Sequence, residues 1–455
     1  MIATTSSARR APPRFHRSVH RTLALMCVGV VGLGSVPAAA QPRPGTAEAT
    51  MKATIAANLD RDVALLERTV NQNSGSLNLD GVTKVGAMFR AALEPLGFTV
   101  QWIDQSAVGR AGHLVATHKG NGKGKRILLI GHLDTVFEPD SPFQSFKRDG
   151  DRATGPGTSD MKGGNVVIVA AMRAMQAAGT LKNADIAIHL VGDEERTGAP
   201  LSAARKDLIE AGKWADVALE YEGLAEQDGR DMGTVARRSA ASWELRASGK
   251  TGHSSGVFSS GLGYGAIYEM SRILDEFRRD LPEPNLTYNV GVIAGGTPAE
   301  IDATGFRVTA SGKTNIVAST AIARGDLRSL TPEQDATARA KMQAIVAKHL
   351  TGTDATLTFF DSYPPMAPTA GNRALLGQLN AVNRDLGLPE MGEYDPAKRG
   401  AADSGFVAAY ADTLGGMGVA GGGAHAEGEW IDLGSIERQA LRSAVLITRL
   451  SRQPR

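Results

Sequence analysis

Seven residues could do metal chemistry together: His132, Asp134, Asp160, Glu194, Glu195, Glu222 and His425. Imidazole and carboxylate are the donors a protein without thiols has for a divalent cation, and this set suits zinc, or else manganese or cobalt. The spacing His132-Leu133-Asp134 lets a carboxylate fold back towards a metal-bound ring, fix its tautomer and raise its basicity. Taken singly, each residue has a plainer explanation. Asp160 could be a helix N-cap, Glu194-Glu195 a solvated loop and His425 a loop histidine. Taken together those explanations weaken, because the residues recur at the same kind of place.

That place is the end of a strand. Ile127 to Ile130 is a short apolar run that reads as a buried strand and emerges at His132. Ala184 to Val191 is another and emerges at Gly192-Asp193-Glu194-Glu195; Asp216 to Tyr221 is followed by Glu222. Asp160 falls in a turn before the apolar helical run Asn165 to Ala178, and Gly418 to Gly423 leads into His425. In open α/β sheets ligands bind beyond the carboxyl ends of the strands, which is where these residues are expected.

Strands alternating with helices predict a largely parallel sheet covered on both faces. The spacing predicts helices over 49–70, 82–96, 372–386 and 435–450, a loop over 71–79, and strands over 98–103 and 113–118. Between about Arg237 and Ser362 the order changes. It reads strand (242–247), helix (261–279), strand (285–293), strand (316–327), helix (331–350), strand (355–360), the split order of a ferredoxin-like unit inserted into the first domain. The expected fold is thus α/β, a mixed, mostly parallel sheet sandwiched by helices, with an inserted ferredoxin-like α+β unit. The expected divisions are 1–40, 41–236, 237–362 and 363–455.

With 455 residues the chain is too long for one ordinary core. Charged residues make up 22% and hydrophobic ones 42%, and neither value indicates disorder or a membrane bundle. The formal net charge is +2, its basic excess concentrated in the first twenty-odd residues, which argues against a nucleic-acid surface. Arg9 to Arg21, the apolar run Leu23 to Val36 and Ala38-Ala39-Ala40 read as a secretory signal cleaved before Gln41. A membrane anchor would need a longer run. The single cysteine, Cys27, falls within that signal and would leave with it. The expected location is periplasmic or secreted, with no membrane attachment after cleavage.

Several motifs resemble, in order, those of the di-zinc metallopeptidase family that contains glutamate carboxypeptidases, aminoacylases, dipeptidases and succinyl-diaminopimelate desuccinylases. They are Gly131-His132-Leu133-Asp134-Thr135-Val136, Gly157 to Gly164, Gly192 to Glu195, Glu222, Gly252-His253-Ser254-Ser255 and Gly422-Gly423-Ala424-His425. The resemblance implies two zinc ions bridged by Asp160, one also held by His132 and Glu222, the other by Glu195 and His425. It implies Asp134 as the residue orienting His132, a cis peptide bond after Asp160, and Glu194 as general base. It implies too that His253 reaches across a dimer interface formed by the inserted unit to stabilise an oxyanion in the partner's site. Asn315 and Arg328 match substrate-contacting positions; Gly400, Arg237 and Arg238 match less closely. A plainer partner for Arg328 is Asp326 or Glu333.

Ala318 replaces a proline common in the family, 298–314 looks like an extra hairpin, and 400–404 only loosely resembles the substrate loop. The implied activity is release of a C-terminal amino acid, glutamate being one candidate, from peptides or N-acyl amino acids. An aminoacylase-like deacylase is the alternative, and a non-catalytic peptide-binding protein of the same fold the distant one.

Overall fold

A computed structural model describes residues 46–455. The expected signal, with Cys27, lies outside the described residues. The main sheet has six strands in the spatial order Thr99–Asp104, Gly112–His118, Asp185–Val191, Arg126–His132, Val217–Glu220, Asp412–Leu414. The first two pairings are antiparallel and the other three parallel. The expected mixed, mostly parallel sheet is therefore present.

Its centre is apolar on both faces, as a covered parallel strand requires. Ile127 and Leu129 join the core beneath helices Thr46–Asn71, Leu79–Leu93, Gly163–Ala177 and Gly434–Leu450. Leu128 and Ile130 point the other way, into a smaller cluster with Leu208, Phe406 and Val407. Register then aligns the strand ends. His132 pairs with Val191, and Ile130 with Glu220, so the segments carrying Glu194, Glu195 and Glu222 leave the sheet beside His132.

A second sheet occupies 241–361, with antiparallel strands in the order Thr287–Gly296, Thr320–Arg328, Ala241–Gly249, Thr353–Asp361. Helices Ala266–Asp280 and Pro332–Val346 share its separate core of Trp243, Leu245, Met270, Phe277 and Met342. The chain order is the split one expected. The first helix starts at Ala266 rather than Gly261, because Gly263 and Gly265 have φ of 81° and 80°, outside helical space. Likewise the helix expected from Val82 starts at Leu79, where the Asn78 side chain accepts a bond from the Gly81 amide. The extra hairpin pairs Ala299–Ile301 with Val308–Ala310.

One feature absent from the sequence reading bears on the site. A small sheet joins Lys147–Asp149 and Arg152–Thr154 to Trp430–Asp432 and Gly421–Gly422, bringing the loop before Asp160 against the loop holding His425. Among the described residues no helix is long and apolar enough to cross a membrane.

Candidate metal centre and active site

The strand ends bring all five expected metal ligands together. His132 Nε2 lies 3.0 Å from Asp160 Oδ1 and 3.3 Å from Glu222 Oε1. His425 Nε2 lies 3.1 Å from Asp160 Oδ2 and 3.0 Å from Glu195 Oε2. The two oxygens of Asp160 thus face two different donor groups. Donors arranged tetrahedrally at ~2.0–2.1 Å from a zinc ion lie about 3.3 Å from one another, so these spacings suit metal ligands. Glu195 Oε1 is buried without a hydrogen-bond partner. Carboxylates outnumber imidazoles here, a charge balance that divalent cations would correct. By spacing, donor chemistry and charge, the residues fit a two-metal centre.

Electrostatics express the same imbalance. Burial pushes Glu194 well above the usual carboxylate range; His132 opposes this, while Asp403, Glu222 and Glu195 add to it. Burial raises Glu195 to about 7. Asp160 is lowered, because bonds from His132 and His425 outweigh its burial. Its bonds to Asp160 and Glu195 raise His425 to about 11.

Asp160 and Glu195 are each held by a support of their own. Asp160 precedes a cis peptide bond, as expected, and the cap position of the helix that starts at Gly163 is Lys162, so Asp160 is not that cap. The turn around it is fixed by Glu429, which is fully buried and accepts bonds from the amides of Gly157 (2.9 Å), Ser159 (2.6 Å) and Asp160 (2.8 Å). Burial raises Glu429 to about 7, and Asp160 adds to it. Sequence reading missed this residue; its signal was an acidic side chain beside the unrecognised strand Trp430–Asp432.

Asp134 does more than face the ring. Its carboxylate lies 3.4 Å from His132 Nδ1, but the nearer partner of that nitrogen is the Asp134 carbonyl, at 3.0 Å. The carboxylate accepts bonds from Ser76 Oγ (2.5 Å) and from the amides of Glu194 (3.0 Å) and Glu195 (3.1 Å). It therefore sets the turn that aims both glutamates. Behind that turn Arg205 is buried between Asp193 (2.6 Å) and Asp403 (2.8 Å), and the Tyr363 hydroxyl donates to the Glu194 carbonyl.

The remaining expected residues do not join the cluster through hydrogen bonds. His253 is exposed, and its ring bonds locally to Ser255. Asn315 is nearby, its carbonyl accepting from the Ser254 amide. Arg328 pairs with Asp326 at 3.0 Å, the plainer of its two readings. The Gly400 carbonyl accepts from Arg237, which also pairs with Glu220 at 2.6 Å. Arg238 reaches Thr287 and the Ala397 carbonyl.

Arg399, not singled out from sequence, is closer to the chemistry. Its guanidinium donates to the Gly223 carbonyl, and its Nε has no partner. Burial and the field of Arg237 lower it to about 10, against Glu222, Glu220 and Asp160. It stays charged at neutral pH beside the carboxylates.

A mixed α/β sheet with two donor groups divided by one aspartate at its strand ends is the framework of a metallopeptidase. The pattern of Peptidase family M20/M25/M40 matches residues 128–449, and the chain belongs to that family. It is 27% identical to carboxypeptidase G2 of Pseudomonas sp. (strain RS-16) over 396 residues, 85% of this chain and 88% of that one. Its fold is similar to that of aminopeptidase PepT from Bacillus cereus ATCC 10987, with a TM-score of 0.66, 20% identity and coverage of 87% and 99%. A dinuclear metal-binding peptidase of the M20 family from Bacillus subtilis gives 0.60 and 15%, over 87% of this chain and 98% of that one.

Proposed function

We propose that this hydrolase is an exported, dimeric carboxypeptidase-type enzyme with two zinc ions per subunit, removing a C-terminal amino acid, glutamate first among candidates, from small peptides or N-acyl amino acids. The observation that carries the reading is the division of the Asp160 carboxylate between His132 with Glu222 and His425 with Glu195. His132, Glu222 and Asp160 would hold one ion, and Glu195, His425 and Asp160 the other. When bound, such ions lower the pKa of water towards ~7 and polarise the scissile carbonyl.

The chain's own residues supply the rest. Glu194, half-buried and aimed by Asp134, takes a proton from the attacking water and returns it to the leaving nitrogen. Arg399 is placed to attract a substrate carboxylate; Arg328, Asn315 and Gly400 are further substrate contacts.

His253 would act from the partner subunit. Edge strand Thr287–Gly296 and the neighbouring helix expose Ile293 (52%), Ile267 (46%) and Tyr268 (52%), apolar surface that supports pairing through the second sheet. The names of carboxypeptidase G2 and of the dinuclear metal-binding relative support the activity and the metal count. The expected signal at 1–40 supports a periplasmic or secreted location.

Elemental analysis of the purified chain, with hydrolysis of an N-acyl glutamate before and after chelation, tests the reading. The expected result is about two zinc equivalents and activity that chelation removes and zinc restores. A chain that holds no metal and cleaves nothing would sink it. Acyl-group tolerance with strictness for the released amino acid would favour the carboxypeptidase over the aminoacylase-like alternative.

A further inference from the structure

The main sheet also has a polar feature on one face, away from the candidate metal ligands. On Gly112–His118 the period of two puts His113, Val115 and Thr117 on one face, and on Asp185–Val191 it puts Ala187 and His189 there. Helix Lys206–Trp214 covers only part of this face. Between it and the antiparallel edge strands lies a cavity of about 950 Å³, a volume within the range of small-molecule sites.

The walls are mainly apolar: Ile103, Val108, Val115, Ala187 and Trp214. His189 and Asp207 also line it, and they break that pattern. His189 is only 4% exposed, yet its Nδ1 has no hydrogen-bond partner, and the nearest carboxylate oxygen, Asp207 Oδ2, is 3.9 Å away. Asp207 Oδ1 is likewise unpartnered, while Oδ2 takes up His113 at 3.0 Å. Buried polar atoms rarely go unsatisfied in native proteins. Burial keeps the His189 ring neutral, its pKa lowered to about 4, so Nδ1 is available to accept or donate.

The exposed lining contains Lys119 and Lys206, neither ion-paired among the described residues. Arg126 and Arg455 are already matched to Asp216 and Asp185. The cavity therefore offers apolar walls, hydrogen-bond acceptors inside and two free ammonium groups where it opens.

We propose that this cavity is a second ligand site, separate from the metal centre, for a small molecule with an apolar body, a hydroxyl or amino donor at one end and a carboxylate at the other. The donor meets Asp207 and His189, the body packs against Val115 and Trp214, and the carboxylate meets Lys119 and Lys206.

The probe is 3-(4-hydroxyphenyl)propionate, which has all three parts, titrated into the metal-loaded protein and followed by calorimetry and ligand-observed NMR. Saturable binding is expected. It should weaken more than tenfold in Thr117→Trp, where an exposed position on the cavity wall is filled, and again in the Lys119→Glu, Lys206→Glu double variant. Both variants should keep the wild-type kcat and KM for the peptide substrate, which shows that they fold. Binding should persist in Arg399→Ala, where the catalytic cleft is altered. Absence of binding at millimolar probe, binding indifferent to Thr117→Trp, or binding lost in Arg399→Ala instead would each overturn the assignment.

Discussion

Glu194, half-buried, and Glu429, fully buried, both lie near Asp160, and their surroundings give them opposite work. The amide and carbonyl of Glu194 are fixed, by Asp134 and by the Tyr363 hydroxyl, so its carboxylate is oriented for proton transfer. Glu194→Gln should lower kcat by about 10²- to 10⁴-fold while metal content and Tm stay at wild-type values. Steady-state kinetics with elemental analysis checks this, and unchanged turnover would remove Glu194 from the mechanism.

The carboxylate of Glu429 is spent on three backbone amides. Glu429→Ala strips all three of their acceptor, at about 1–3 kcal/mol for each buried donor left unsatisfied. A lower Tm and faster loss of metal on dialysis are expected, with Glu429→Gln intermediate because one acceptor oxygen remains.

Between elements, the connections carry information that the strands do not. Arg205 precedes a helix, yet it joins Asp193, at the end of a central strand, to Asp403, some two hundred residues later. Arg205→Ala leaves Asp403 buried without its cation and Asp193 with His113 alone, and urea unfolding should show a loss of about 3–5 kcal/mol. Arg205→Lys should rescue little of it, since one ammonium cannot reproduce the forked geometry.

The second sheet makes a different prediction at this scale. Ile293→Lys with Tyr268→Glu should give monomers in sedimentation and a fall in kcat without a fall in Tm. Monomers that keep full activity would show that His253 takes no part across an interface.

That the candidate ligands converge was legible in the sequence, for a physical reason. Strands of four to seven apolar residues have a clear pattern, and His132, Glu194, Glu195 and Glu222 are tied to them by short range. Glu429, Arg399 and Arg205 depend on partners brought near only by folding, so no local pattern announces them. The short strands around Arg152 and Trp430 likewise have too few residues to show a period. Arg328 was legible only as an alternative, because whether an arginine meets Asp326 or a substrate is decided by rotamer and not by spacing.

For the molecule as a whole, two buried histidines on one face of the main sheet give stability opposite dependences on pH. Burial works against a charged His113, but hydrogen bonds to Asp193 and Asp207 outweigh it and raise its pKa from 6.5 to about 9. Its contribution is full below pH ~6.5 and is lost as pH rises through about 9. For His189 burial dominates and lowers the pKa from 6.5 to about 4. The fold holds that ring neutral, so its contribution is present above pH ~6.5 and fades as pH falls through about 4. The summed contribution of these two rings is greatest near pH 6.5, each limb falling by on the order of 3 kcal/mol. Denaturant midpoints measured across pH should lose the alkaline limb in His113→Gln and the acid limb in His189→Gln.

The small sheet joining Arg152–Thr154 to Trp430–Asp432 has a consequence in time as well as in space. A polypeptide emerges from its N-terminal end, so Asp160 is made long before Glu429 can grip its turn or His425 can complete its second group of donors. Until those residues arrive, the second donor group cannot form. A chain halted at residue 420 would retain His132, Asp160 and Glu222, the donors proposed for one ion, but would lack His425 for the other and Glu429 behind the Asp160 turn. The second donor group is therefore a late event in synthesis, and hydrolytic competence waits for it.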